Sequence, residues 1–288
     1  MKKILVAGAT GYLGRHIVRE LIHQEKPFVA LGRSRSKLEA LGLSESQMAI
    51  GEVTQPETIA QAFEDIDTVI STIGITRQKD GLSYMDVDYQ ANMNLLELAK
   101  AKGVNRFIYV SAINGNKMRH LKIMEAKERF VDELKASGLK YTVLRPNGFF
   151  SDMTDFLDMA KGGRIYLFGN GEFKFNPIHG EDLARVAIEA MDSPQLEIEV
   201  GGPDILTQNE IGEMALAAYD KPIKIAHFPN WVGRAFIGLM HTFTSSKIYG
   251  PIEFFLEMMA QDNVAPRYGT HRLSKFFVDQ VDELTSRS

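Results

Sequence analysis

Apolar runs and helical patterns alternate through the first half of the chain. Strands are predicted over six short apolar runs, at 3–8, 28–33, 48–53, 68–73, 106–112 and 141–146. Segments with the spacing of amphipathic helices follow five of them, near 12–25, 34–41, 56–63, 86–102 and 122–137. Buried strands that alternate with such helices indicate a parallel sheet covered on both faces. The first half is therefore predicted to be a doubly wound α/β fold.

The alternation stops after Asn147. Residues 162–191 predict a strand and hairpin followed by a helix, and Thr207, with a glutamate three residues on, has capping-box spacing for another helix. We expect a dinucleotide-binding domain over 1–146 and a smaller α+β substrate-binding region over 147–288, packed on the first. The aromatic and methionine-rich stretch 228–259 is expected to form core, and contact with a bulky apolar ligand is the alternative.

Three glycines connect the first strand to the first helix. Gly8 allows a sharp turn, Gly11 lets a pyrophosphate approach the main chain, and Gly14 lets the helix pack tightly on the strand. Phosphates then lie at the helix N-terminus, where free N–H groups favour negative charge. The alternative is that the glycines serve the turn alone. Their place after a strand favours a Rossmann dinucleotide site, whose predicted residues here are Gly8, Thr10, Gly11, Tyr12, Leu13 and Gly14.

The end of the second strand indicates which cofactor binds. An NAD site usually carries an acidic residue there, but this chain has Gly32 followed by Arg33, Ser34 and Lys37. Because a guanidinium can bind a 2′-phosphate through two hydrogen bonds, we predict NADP(H), with NAD(H) and a merely solvated basic loop as alternatives. The ends of the third and fourth strands supply further predicted cofactor contacts, which are Glu52, Val53, Thr72, Ile73 and Gly74.

Composition narrows the classes of function. A net charge of −4 and a pI of about 6.0 argue against nucleic acid as a partner. The absence of cysteine excludes disulfides and thiol catalysis, and no metal site is predicted. The apolar run after Lys3 is too short for a signal peptide, and 231–259 carries charges and a central Gly-Pro, so no membrane span is expected. We expect a cytoplasmic monomer or homodimer.

Four segments carry a family resemblance: "GATGYLG", "VDYQANMNLLELAKAKGVNRFIYVSA", "SGLKYTVLRPNGFF" and "NPIHGEDLA". In kind, order and spacing they resemble the extended and atypical short-chain dehydrogenase/reductases over about residues 3–190. The later part, including "LKIMEAKERF", "YLFGNGEFKF" and "VGGPDILTQNEIGEMA", is most similar to the divinyl chlorophyllide vinyl-reductase branch and its NmrA-like relatives.

The resemblance implies an active site that this chain only partly matches. The family pattern is a serine followed by Tyr-x-x-x-Lys, in which the lysine binds the nicotinamide ribose and the tyrosine transfers a proton. Ser111 and Lys127 match the catalytic serine and lysine, but Ile123 stands in the tyrosine position and cannot transfer a proton. Lys127 is predicted to reach the ribose hydroxyls or to donate a proton with a lowered pKa. The alternative is an exposed helix lysine, since Glu128 and its charged neighbours indicate a solvated helix.

Two later sites are also implied by the resemblance. Pro146, Asn147 and Phe149 are expected beside the nicotinamide ring, with main-chain groups near its carboxamide. His179 matches a position at the edge of the substrate cleft, and we interpret it as a structural hydrogen-bonding group.

These features favour an NADPH-dependent reductase acting on an activated C=C or C=O of an apolar small molecule. The missing tyrosine favours the alternative, a catalytically inactive NADP(H)-binding regulator or assembly factor. It counts against a third reading, a nucleotide-sugar epimerase or dehydratase, because those enzymes normally use the tyrosine.

Overall fold

A computed structural model describes residues 2–75 and 81–286 of the chain. It divides into two compact units, the first formed by Met1–Arg145 with Leu183–Ile198 and the second by Pro146–Asp182 with Glu199–Ser288. Residues 183–198, which the sequence analysis placed in the second region, thus belong to the first unit. The reason is a main-chain hydrogen bond. The N–H of Val143 donates to the carbonyl of Leu196 (2.8 Å), and this contact extends the edge of the main sheet.

The main sheet has seven strands. They are β1 (Lys3–Ala7), β2 (Phe28–Gly32), β3 (Met48–Ile50), β4 (Ile66–Ser71), β5 (Arg106–Val110), β6 (Lys140–Pro146) and β9 (Glu197–Val200). Their order is β3-β2-β1-β4-β5-β6-β9, and the pairings among the first six are parallel. The order reverses between β1 and β4, and ligands of such sheets bind outside the carboxyl ends of the strands at this point. The predicted doubly wound Rossmann fold is confirmed.

Helices flank the sheet, and the first four of them lie on segments that the periodicity predicts. They are α1 (Tyr12–His23), α2 (Arg35–Glu39), α3 (Asn92–Ala101), α4 (Lys122–Ala136) and α6 (Gly180–Glu189), the last of which crosses the boundary between the units. Apolar side chains of the strands and of α3 and α4, among them Leu5, Val69 and Phe107, form a continuous core. Each large side chain so buried stabilises the fold by about 1.5–3 kcal/mol.

Two predicted helices differ in detail. The segment near 56–63 forms two short 3₁₀ turns, because the Thr58 hydroxyl bonds to the carbonyls of Glu52 and Gln55 and so competes with a regular helix. The segment near 86–102 begins as a π-helix, Met85–Ala91, before α3. There the buried Asn92 amide donates to the carbonyls of Val87 and Asp88, which interrupts the regular α-helical ladder.

The second unit is built on α5 (Thr154–Lys161), α7 (Gln208–Ala218) and α10 (Leu273–Ser286), which share an apolar core. The predicted hairpin is wrong. Strand β7 (Ile165–Phe168) pairs in parallel with β11 (Ile225–Phe228), and β8 (Lys174–Phe175) pairs antiparallel with β10 (Leu206–Thr207). Left-handed glycines between β7 and β8, at Gly169 (φ 79°) and Gly171 (φ 74°), separate the two strands. The capping box at Thr207 is present.

The stretch 228–259 forms α8 (Asn230–Phe243) and α9 (Ser246–Met259). In α9, Phe255 and Met259 pack against the core of the second unit, as expected. In α8 the expectation of core is wrong, because Trp231, Leu239 and Phe243 are 64%, 59% and 78% exposed. Within the described part of the chain, no helix combines the length and apolar character needed to cross a membrane.

Candidate functional site

The glycine loop has the geometry that its spacing predicts. Gly8 has a φ of +83°, and a Cβ there would lie 2.6 Å from Thr72 Oγ1. A Cβ on Gly14 would overlap the carbonyl oxygen of Gly8, so only glycine lets α1 approach β1 this closely. Helix α1 starts at Tyr12 with Gly11 as its N-cap, and its described first turn contains no acidic residue. The positive end of the helix dipole is therefore suited to a phosphate.

Two other predicted loop residues pack inward. A Cβ on Gly32 would lie 3.3 Å from Thr10 Cγ2, which places Thr10 against the end of β2. The side chain of Leu13 is buried in the core. Leu13 can thus offer a ligand only its main-chain amide, while Thr10 links the glycine loop to the end of the second strand.

The predicted adenosine side forms at the ends of β2 and β3. Arg33 is largely exposed, and its Nη1 lies 3.5 Å from Glu52 Oε2. Ser34 caps the short helix α2 by accepting a hydrogen bond from the Lys37 N–H, so Ser34 and Lys37 belong to one turn. Val53 packs into the core, and its carbonyl accepts a hydrogen bond from the Asn94 amide (2.9 Å).

The fourth strand connects the glycine loop to Lys127. The Thr72 hydroxyl donates to the carbonyl of Ala7 (3.0 Å), and the Ile73 side chain lies beside Gly8. A Cβ on Gly74 would lie 2.7 Å from Lys127 Nζ. Lys127 therefore reaches the main chain at the end of β4, next to the glycine loop.

Lys127 is neither an exposed helix lysine nor a lysine of lowered pKa. Its side chain is 13% exposed, and Nζ lies 2.8 Å from Oδ1 of the fully buried Asp88. Nζ also lies 5.7 Å from the centroid of the Tyr109 ring. Burial opposes the positive charge, but the Asp88 carboxylate and Tyr109 outweigh it and hold the pKa of Lys127 above its ordinary value. This direction is opposite to the lowered pKa considered from the sequence, because the carboxylate that faces Lys127 comes from another element.

Ser111 is bound to a buried ion-pair network. Its hydroxyl donates to Glu128 Oε1 (2.7 Å), and Glu128 forms two hydrogen bonds with Arg145 (2.7 and 2.9 Å). Arg145 Nε also donates to Glu197 (2.6 Å). Glu128 is thus buried, and the expectation of a solvated side chain is wrong because Arg145 supplies the counter-charge. Ser111 offers a ligand an oxygen lone pair, but its proton is directed to Glu128.

The position of the missing tyrosine is apolar. Ile123 is buried in α4, one helical turn before Lys127. Tyr109 is the phenol next to Lys127, but it is fully buried, and burial raises its pKa well above the ordinary value. Tyr109 is therefore poorly suited to exchange a proton with a substrate.

In the second unit, Asn147 belongs to a buried amide network. Its N–H donates to the Val200 carbonyl (2.9 Å), and its side-chain amide donates to Asn176 Oδ1 (2.7 Å) and to the carbonyl of Asn263. The preceding residue, Pro146, ends β6. These contacts fix the turn, so the Asn147 side chain acts here as a structural group.

Phe149 and His179 are also placed by their neighbours. The Phe149 N–H donates to Asp152 Oδ2 (3.1 Å). The ring of His179 stacks on His271, with centroids 4.2 Å apart, and its Nδ1 accepts a hydrogen bond from the Glu181 N–H (3.3 Å). These contacts agree with the structural interpretation of His179.

Sequence reasoning missed Asp88 and the partners of Arg145. One feature of the sequence could have drawn attention to Asp88: it is an acidic residue inside the helical segment "VDYQANMNLL". Its partner could not be identified, because nothing local indicates that this face of the segment turns toward α4.

Comparison with known proteins also indicates a nicotinamide-nucleotide-binding fold. A family model described as NAD(P)H-binding matches residues 8–194. The chain is 29% identical to divinyl chlorophyllide a 8-vinyl-reductase of Zea mays, covering 97% of this chain and 79% of that protein. It is 32% identical to a photosystem II assembly factor of Synechocystis sp., covering 66% of this chain and 58% of that protein. The solved structure of an NADPH-dependent quinone oxidoreductase of Escherichia coli, complexed with NADPH, is similar in fold, with a TM-score of 0.70, 16% identity and coverage of 98% and 99%.

Proposed function

The chain belongs to the NAD(P)H-binding family, and we propose that it is an NADPH-dependent reductase of an activated C=C or C=O in an apolar small molecule. The observation that carries this proposal is the position of Lys127. It brings a permanent positive charge to Gly74, beside a glycine loop shaped for a pyrophosphate. A regulator that only recognised the adenosine half of a nucleotide would have no need of this charge.

We propose NADP(H) as the preferred cofactor. Gly32 occupies the place of the acidic residue that usually binds the NAD ribose, and Arg33 projects into solvent next to it. Glu52 lies close enough to orient the guanidinium. NAD(H) remains the alternative, since Glu52 would also accept a hydrogen bond from a ribose hydroxyl.

The residues of the first unit then have separate roles. The main-chain amides at the start of α1 hold the phosphates, and Lys127 donates hydrogen bonds to the nicotinamide ribose. When bound, the nicotinamide supplies a hydride to the substrate. The fixed positive charge of Lys127 stabilises the negative charge that hydride addition places on a conjugated substrate. We assign the balancing proton to water, since Lys127 keeps its proton in this proposal and Ile123 carries none to give.

The absence of a tyrosine at position 123 bears on the class of substrate. Reduction of a simple ketone forms an alkoxide that the family's tyrosine protonates, whereas a conjugated alkene spreads its charge onto a remote electron-withdrawing group. The relative from Zea mays is by name a divinyl chlorophyllide a 8-vinyl-reductase. We therefore favour a conjugated C=C over an isolated C=O.

A catalytically inactive NADP(H)-binding assembly factor is the second candidate. Two observations favour it: the proton of Ser111 is directed to Glu128, and Ile123 replaces the proton-transferring tyrosine. The relative from Synechocystis sp. is by name a photosystem II assembly factor.

Nucleotide binding and turnover separate the two candidates. Titration with NADPH and NADH by calorimetry measures binding, and loss of absorbance at the nicotinamide band measures turnover with a panel of enones, quinones and vinyl-substituted porphyrinoids. Turnover that Lys127→Met abolishes supports the reductase. Tight NADPH binding without oxidation by any acceptor supports the assembly factor, and the absence of binding contradicts both.

A further inference from the structure

The Asp88 carboxylate is fully buried: among the described residues, Oδ1 has an ion-pair partner but accepts no hydrogen bond, whereas Oδ2 accepts one. Oδ1 lies 2.8 Å from Lys127 Nζ, and Oδ2 accepts a hydrogen bond from the Ile75 N–H (3.2 Å). A buried carboxylate is strongly destabilising unless a cation and hydrogen-bond donors compensate it. Burial raises the pKa of Asp88 above its ordinary value, while Lys127 and the Ile75 N–H favour its charged form, so the carboxylate depends on Lys127 as much as Lys127 depends on it.

The main chain around Asp88 is fixed by an unusual turn. Asp88 lies in the π-helical segment Met85–Ala91, and single π-turns occur often at functional sites. The Asn92 amide donates to the Asp88 carbonyl (2.9 Å) and to the carbonyl of Ile73 (3.3 Å), while its Oδ1 accepts from Ser71 Oγ (2.6 Å). Asn92 therefore ties Asp88 to the end of β4.

Gly74 completes the arrangement. A Cβ at this position would lie 2.7 Å from both Asp88 Oδ1 and Lys127 Nζ. The ion pair consequently touches the main chain of the loop that the proposed function assigns to the nicotinamide ribose. Any larger residue there would displace one of the two charged groups.

The polar groups around Lys127 come from three elements. The π-helix contributes Asp88, and β5 contributes the buried hydroxyl of Tyr109. On its own helix, the neighbouring Glu128 is paired with Arg145. Within residues 2–75 and 81–286, Asp88 is thus the carboxylate at ion-pair distance from Lys127.

From this geometry we infer that Asp88 is a positioning residue, which keeps Lys127 protonated and directs its ammonium to the Gly74 loop. This inference rests on the proposed function. Lys127 then acts as a fixed cation for the ribose and for developing negative charge, and it never gives up its proton during turnover. Asp88 itself touches neither cofactor nor substrate.

The test combines Asp88→Asn with a double-mutant cycle. Dissociation constants for NADPH are measured between pH 6 and pH 10 for the wild type, Asp88→Asn, Lys127→Met and the double variant. We expect Asp88→Asn to weaken binding about 10-fold, the size of a lost interaction with a charged group, and increasingly as pH rises. In the Lys127→Met background the same change should have no further effect. Asp86→Asn, an exposed residue of the same π-helical segment, is the matched control and should bind like the wild type.

A nucleotide-free measurement separates this inference from the proposed function. NMR titration of ¹³C-labelled lysine follows the Lys127 ammonium directly, and we expect it to stay charged in the wild type at a pH where other lysines have titrated. Titration of Lys127 below the ordinary lysine range in the wild type overturns the inference, whether or not NADPH binds. Equal NADPH affinity and pH dependence in the wild type and Asp88→Asn also overturns it. Failure of the wild type to bind NADPH, with Lys127 still charged, contradicts only the proposed function.

Discussion

The Ser111 hydroxyl donates its proton to the buried carboxylate of Glu128 across 2.7 Å, and Glu128 in turn forms two hydrogen bonds with Arg145. A serine that matches the position of a catalytic residue thus serves an internal ion pair. Burial opposes the charge of Arg145, but Glu128 and Glu197 outweigh it and hold its pKa above the ordinary value. Because its proton is directed to Glu128, Ser111 offers a ligand only an acceptor.

Ser111→Ala should therefore act on stability more than on chemistry. The variant leaves one oxygen of Glu128 with fewer donors, and we expect the free energy of unfolding to fall by about 1.5–3 kcal/mol. Urea denaturation measures this loss, and NADPH affinity should stay unchanged. Ser46→Ala, at an exposed serine, is the control and should leave the free energy of unfolding unaltered. A large loss of turnover at unchanged stability would instead identify Ser111 as a donor to substrate.

The local features of the first unit were predictable from the sequence, whereas its charge pairs were not. Strand periodicity and the spacing of Gly8, Gly11 and Gly14 each depend on neighbours within a few residues, and the structure retains both. The pairs Lys127–Asp88 and Arg145–Glu128 join residues from different elements. A sequence reveals a charge, but only the packed fold determines which opposite charge it meets.

The second unit was less predictable for the same reason. Strand β7 pairs with β11 and β8 pairs with β10, so each pair joins segments that are distant in the sequence. The glycines between β7 and β8 instead indicated a turn, and a turn between two strands predicts a hairpin. Apolar composition also failed to predict burial in α8, where Trp231 and Phe243 are exposed. Composition predicts that a segment has apolar surface to cover, but it does not specify which element covers it.

Gly14→Ala should damage both the fold and nucleotide binding. The added methyl would overlap the Gly8 carbonyl, and relieving this overlap must move α1 away from β1. Overpacking of this kind costs about 1–3 kcal/mol, measured as a lower free energy of unfolding, together with weaker NADPH binding. The matched control is Gly238→Ala in α8, where nothing among the described residues lies within 4 Å of an added Cβ. Since alanine is the better helix former, that variant should be neutral or slightly stabilised. Wild-type stability in Gly14→Ala would refute the close approach.

Arg33→Ala should distinguish the two nicotinamide cofactors. If the guanidinium binds a 2′-phosphate, its removal weakens NADPH by about 1.5–3 kcal/mol and leaves NADH nearly unaffected. Calorimetric titration of both nucleotides measures the difference. Arg35→Ala is the control, because that guanidinium is paired with Glu45 on the neighbouring segment. An equal loss for the two nucleotides would remove the basis for NADP(H) preference.

Glu197 should contribute to stability at the acid limb of the pH profile. Burial opposes its negative charge, but hydrogen bonds from Lys135 and Arg145 outweigh burial and hold the pKa of Glu197 below its ordinary value. A carboxylate whose pKa is lower in the folded state stabilises the protein above its unfolded pKa, and this stabilisation is lost as pH falls toward the folded value. We therefore expect the free energy of unfolding to fall as pH drops below about 4.5, with a shallower slope in Glu197→Gln than in the wild type. Denaturant titrations from pH 3 to pH 7 provide the slopes, and Glu57→Gln, at an exposed carboxylate, should retain the wild-type slope. A steeper acid limb in Glu197→Gln would reverse the assigned direction, because it would mean that the folded state binds the Glu197 proton more tightly than the unfolded chain does.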